Sequence, residues 1–127
     1  MLNEILHVTQ RETGKYRRWF QDEFFDLYTW ESYEGEMQSF QLCYDKSNQQ
    51  RALRWTPQNG YWHESVDSPE NKPGRAMSAL FVQDDSALVE GVIPRFEAAA
   101  LQLPAKIKNF VLEKIHDYQT EHSYRLS

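Results

Sequence analysis

The hydrophobic pattern of the chain changes period near residue 84, and that change constrains the fold more than any other feature. Before it, apolar and polar residues alternate between turn signals, as half-buried strands require; after it, apolar residues recur at helical spacing. The alternation predicts strands near 15–21, 24–32, 37–45, 50–57 and 61–66. An N-terminal segment near 4–10 has no assignable partner. Residues 67–76 read as a connecting loop on composition, and Ala79-Leu80-Phe81-Val82 as a short strand after it. In the last third, Leu88, Val89, Val92, Phe96, Ala99, Ala100 and Leu103 make one apolar stripe, with Asp85 or Ser86 as its cap. Pro94 lies inside that stripe, so the helix either kinks there or starts with Pro94 in its first turn. Pro104 opens a second helix whose stripe is Ile107, Phe110, Val111, Ile115 and Tyr118, with a tail from Glu121 that frays. The 127 residues therefore read as one α+β domain: an antiparallel meander of about five strands with two C-terminal amphipathic helices packed on one face.

Turns then set which residues share a face, because side chains alternate along a strand. A two-residue Asn59-Gly60 hairpin pairs Trp55 with Glu64 and Leu53 with Val66. A loop at Lys46 to Gln49 pairs Leu42 with Leu53 and Phe40 with Trp55, and a turn at Glu34-Gly35 pairs Leu27 with Leu42 and Phe25 with Tyr44. These registers put Phe25, Leu27, Phe40, Leu42, Tyr44, Leu53, Trp55 and Val66 on the face that receives the helices. The other face then carries Asp26, Tyr28, Trp30, Ser39, Gln41, Cys43, Arg54, Thr56, Tyr61, His63 and Ser65. Arg17 and Trp19 join it if the first hairpin turns at Asp22-Glu23.

Two guanidiniums, Arg17 and Arg54, beside the Gln41 amide and the Tyr28 and Ser65 hydroxyls can hold a carboxylate or phosphate, with the aromatic side chains as a platform for a ring. The alternative is an ordinary solvated sheet face whose cross-strand pairs stabilise it modestly. Asp26 opposite Cys43 with His63 nearby has the residue types of a nucleophile, base and orienting acid. However, nonadjacent strands of one sheet hold Cys43 and His63 about 10 Å apart, too far for proton transfer. Lys15-Tyr16-Arg17-Arg18 is the one local basic cluster and reads as a solvated edge that discourages strand pairing.

Composition removes several classes of function. Fourteen basic against 19 acidic residues, net −5, leaves no basic face for general nucleic-acid binding. A single cysteine excludes an internal disulfide and a CxxC site, and the four histidines have no metal-ligand spacing, so no metal and no cofactor is expected. The N-terminus lacks a basic region followed by an apolar one, and the apolar runs are far too short to span a membrane, which predicts a cytoplasmic protein. With 7 Phe, 7 Tyr and 4 Trp, the chain holds more rings than the expected core uses.

Asp22-Glu23-Phe24-Phe25-Asp26-Leu27, Phe40-Gln41-Leu42-Cys43-Tyr44-Asp45-Lys46 and Arg51-Ala52-Leu53-Arg54-Trp55 resemble the pattern of small, uncharacterised bacterial proteins. The resemblance covers the central third of the chain and implies a bacterial cytosolic protein, with no catalytic residue to carry over. The function expected is a non-enzymatic binding domain using Arg17, Trp19, Asp26, Tyr28, Trp30, Gln41, Arg54, Tyr61, His63 and Ser65. Its partner is another protein, a second copy in a homodimer, or a small anionic or aromatic ligand. The alternatives are a small enzyme with acid/base chemistry at Asp26, Tyr28, Arg54 and His63, and an acidic regulator that meets a basic partner.

Overall fold

The computed structural model describes residues 1–6, 8, 10, 14–67, 80–83 and 87–126, and for the segments 66–67, 80–83 and 123–126 it describes the backbone only. Among the described residues, seven antiparallel strands follow one another in sheet order: β1 (Asn3–Glu4), β2 (Lys15–Gln21), β3 (Phe25–Ser32), β4 (Met37–Tyr44), β5 (Arg51–Thr56), β6 (Gly60–Asp67) and β7 (Leu80–Gln83). Helices α1 (Val92–Ala99) and α2 (Ala105–Leu126) follow. The central five strands are those of the period-two region. The sheet is extended at its edges by the short β1, which begins one residue before the expected 4–10 segment, part of that segment lying outside the described residues, and by β7. The Asp85 and Ser86 caps and most of the 67–76 loop lie outside the described residues.

Two of the expected registers are present residue for residue. Leu27 pairs with Leu42 and Phe25 with Tyr44, while Leu42 pairs with Leu53 and Phe40 with Trp55. The β3–β4 turn uses Gly35 at φ 93°, a left-handed conformation that a Cβ would strain. The β2–β3 turn is centred one residue later than expected, on Glu23 and Phe24. The Asp22 carboxylate accepts the Phe24 and Phe25 amides at 2.8 and 2.7 Å. The displacement leaves the parity unchanged, so Arg17 and Trp19 share a face with Tyr28 and Trp30.

The β5–β6 register differs from the expectation. Trp55 pairs with Tyr61 and Leu53 with His63, and the hairpin closes at Thr56 and Gly60. A type I′ turn needs positive φ at both Asn59 and Gly60, but of the two only Gly60 adopts it, at 69°. The Thr56 hydroxyl instead accepts the Asn59 amide at 3.1 Å, and the loop takes a third residue before a left-handed glycine. Relative to the two-residue hairpin the pairing moves by an odd number of residues, which exchanges the two faces of β6. Tyr61, His63 and Ser65 consequently lie on the helix side, and Trp62 and Glu64 on the other. The Val66 backbone position takes the parity of Glu64, opposite to the expected core face.

The core lies between the sheet and the helices. Phe25, Leu27, Phe40, Leu42, Tyr44 and Leu53 are fully buried against Val92, Phe96, Ile107, Val111, Ile115 and Tyr118. Each such Leu, Ile or Phe contributes about 1.5–3 kcal/mol by leaving water. Edge-to-face ring pairs fix the helices on the sheet: Phe25 with Phe96 at 5.6 Å, and Phe40 and Trp55 with Phe110 at 6.0 and 5.8 Å. Helix α1 begins after left-handed Gly91 with Pro94 in its first turn, where the missing N–H costs nothing. Val89, assigned to its stripe, is exposed before the helix starts. Helix α2 does not fray at Glu121 but continues to Leu126. Its extension is held by His122, which stacks on Tyr118 at 3.8 Å and donates from Nδ1 to the Tyr118 carbonyl at 2.9 Å.

Candidate functional site

The sheet face opposite the helices carries a row of half-buried rings across β2 and β3. Trp19 stacks on Tyr28 with centroids 5.6 Å apart and planes 13° from parallel, and Trp30 follows Tyr28 at 6.5 Å. The row follows from the β2–β3 register, which sets Trp19 opposite Tyr28 and Arg17 opposite Trp30. At one end, the indole of Trp19 donates to Asp26 at 3.0 Å, and Asp26 is also 3.4 Å from the Lys46 ammonium. Those contacts occupy the carboxylate. Burial, assisted by the Asp26 charge, raises the Tyr28 phenol above its ordinary pKa, so at neutral pH it is a neutral donor and acceptor.

Beyond Trp30 the face opens into a cleft of about 250 Å³ lined by Lys15, Trp30, Ser39, Gln41, Arg54 and Thr56. A second, larger recess of about 620 Å³ continues past Arg54 along Thr56, Asn59, Gly60 and Trp62. Arg54 and Thr56 belong to both, so the exposed guanidinium stands on the ridge between two recesses, one walled by Trp30 and the other by Trp62. Gln41 is the direct cross-strand neighbour of Arg54 on one side and Trp62 on the other. The Trp62 indole is oriented by its hydrogen bond to Glu64 at 2.8 Å. Toward the other end the face closes: Cys43, Ala52 and Glu64 are buried. That burial raises the Cys43 thiol pKa above its usual value even though the Gln41 amide donates to the sulfur at 3.5 Å. The thiol is therefore poorly suited to act as a nucleophile.

The expected site residues divide between two surfaces. Arg17, Trp19, Asp26, Tyr28, Trp30, Gln41 and Arg54 share the helix-free face. Tyr61, His63 and Ser65 do not, for the reason given by the β5–β6 loop. His63 is 1% exposed beneath the helices, where its Nε2 and the Tyr44 hydroxyl share a 2.7 Å hydrogen bond. Its ring lies 5.9 Å from Tyr44 and 5.5 Å from Tyr118. Tyr61 packs on Tyr118 and donates to Asp117 at 2.8 Å; burial and that carboxylate push its phenol far above the ordinary range. The sheet thus separates His63 from Asp26, Tyr28 and Arg54, and the acid/base grouping considered from sequence is not assembled.

Sequence reasoning missed Trp62, because the two-residue hairpin assigned it to the wrong face. It also missed the buried group Tyr44, His63, Tyr118 and His122. The signal for part of that group was present: His122 continues the Ile107, Val111, Ile115, Tyr118 spacing by one more helical step. Among the described residues no group of three or more His, Cys, Asp or Glu side chains gathers to hold a metal, and no helix is long and apolar enough to cross a membrane. Comparison with protein-family models, with curated proteins and with solved structures gave no match, so the reading of this site rests on its own geometry.

Proposed function

We propose that this chain is a non-enzymatic binding domain whose recognition surface is the helix-free sheet face, and that it takes a small ligand bearing a flat ring. The observation that carries this reading is the row Trp19, Tyr28, Trp30 ending in a cleft beside Arg54. Half-buried rings already held by neighbours have little entropy left to lose on binding, and a concave site with a few polar groups suits a small molecule. The recess volumes suit a small molecule better than a flat interface between two copies or with another protein. The domain acts in a reducing, cytoplasmic compartment, consistent with a lone buried thiol.

The test is tryptophan emission with a panel of phenyl phosphate, benzoate, benzamide and indole, run beside light scattering. At least one panel member should change the emission saturably in the wild-type protein and lose that component in folded Trp30→Leu. A silent panel on a stable dimer overturns the reading and gives the face to a second copy. A silent panel on a monomer also overturns it.

A further inference from the structure

Building on that reading, we infer that the cleft between Trp30 and Arg54 binds the anionic group of its ligand, so the ligand class is a planar ring carrying a phosphate or carboxylate. Arg54 stands over the cleft, whose other polar lining residues are Lys15, Ser39, Gln41 and Thr56, and among the described residues no carboxylate lines it. In a chain of net charge −5, a recess overlooked by the exposed Arg54 guanidinium, to which the described residues bring no acid, is a local reversal of the overall balance.

Several cations near this sheet are matched: Arg18 holds Glu4 at 2.8 Å, Lys46 approaches Asp26 at 3.4 Å, and Lys106 holds Glu31 at 2.5 Å. Arg54 is exposed on the ridge, and its cross-strand neighbours are Gln41 and Trp62. A guanidinium offers a planar fork of donors that fits a carboxylate or phosphate edge-on, with the Gln41 amide alongside to accept or donate. With the anion on Arg54, a ring attached to it lies against the Trp30 indole in one recess or the Trp62 indole in the other, and either contact adds stacking that a bare anion lacks.

Calorimetric titration of the purified protein at low salt separates these elements. Phenyl phosphate should bind at least about tenfold more tightly than benzamide, which keeps the ring without the charge, and more tightly than inorganic phosphate, which keeps the charge without the ring. Benzoate shows whether a carboxylate serves as well as a phosphate, and binding of either acid supports the inference. Arg54→Gln should weaken phenyl phosphate about tenfold, whereas Lys108→Gln, which removes a cation on α2, should leave it unchanged. Because Arg54 is exposed, folding of its variant is secure and is checked by circular dichroism. Equal affinity of phenyl phosphate and benzamide, or equal effects of Arg54→Gln and Lys108→Gln, overturns the inference. If benzamide alone binds and loses affinity in Trp30→Leu, the anion claim fails while the ring-binding face stands; if no compound binds, both fail.

Discussion

Replacing His63 and Arg54 separately tests the register on which the site rests, because a two-residue hairpin would make them neighbours on one solvated face. In the structure His63 is 1% exposed between Tyr44 and Tyr118, and Arg54 lies on the opposite side of the sheet. His63→Ala removes two ring contacts worth about 0.5–1.5 kcal/mol each and strips the Tyr44 hydroxyl of its 2.7 Å partner, a further loss of about 1–3 kcal/mol. With the cavity left behind, the total should be about 3–5 kcal/mol. For a urea m-value of about 1.5 kcal/mol/M, a loss of 3 kcal/mol lowers the midpoint by about 2 M. Arg54→Ala should change stability by no more than about 0.5 kcal/mol, as an exposed substitution does. His63→Phe, which keeps ring volume but not the hydrogen bond, should fall between them. Equilibrium urea unfolding followed by tryptophan emission reads all three. Midpoints for His63→Ala and Arg54→Ala within about 0.3 M of each other would refute the burial of His63 and the three-residue β5–β6 loop.

Three further outcomes follow from particular contacts. Lys106→Met removes the ammonium 2.5 Å from the buried Glu31 carboxylate and leaves Arg18 at 3.8 Å, so thermal unfolding should show a loss of about 1–3 kcal/mol. Adding Glu31→Gln should recover part of that loss, and strict additivity of the two variants would count against the pairing. The hydrogen bond from Arg18 lowers the Glu4 pKa below its ordinary 4.5, so Glu4 stabilises the fold above that pH and the contribution disappears as pH falls through the lowered value. Glu4→Gln should therefore flatten the acid limb of the stability profile below about pH 4.5 and leave neutral pH nearly unchanged, since the pair is partly solvated. Burial raises the Cys43 pKa, so iodoacetamide at pH 8 should modify it more than about tenfold faster in urea-unfolded protein than in native protein; equal rates would place the thiol at the surface.

Much of the fold was legible because local and tertiary demands coincide in it. The alternation of Phe25, Leu27, Phe40 and Leu42 identifies one buried face, and two turns confirm it independently. The Arg17, Trp19, Tyr28, Trp30 grouping survived a displaced turn because moving the turn centre by one residue moves the pairing by two, which keeps the parity. The β6 assignments failed because the sequence does not state the φ of Asn59. Asn-Gly permits the two-residue turn, and the Thr56 hydroxyl selects the longer loop instead. A choice made by one hydrogen bond reassigned Tyr61, His63 and Ser65. The α2 tail was misread for a related reason. Its residues from Glu121 onward are mostly polar, and the helix there is anchored to the core through His122 on Tyr118.

The most direct test of the account is an amide chemical-shift map of the protein titrated with phenyl phosphate. Saturable shifts should concentrate at Trp30, Ser39, Gln41, Arg54, Thr56 and Trp62, with Tyr44, His63 and Tyr118 unmoved. Shifts centred on the buried histidines or on the helices, with the Arg54 cleft silent, would contradict it.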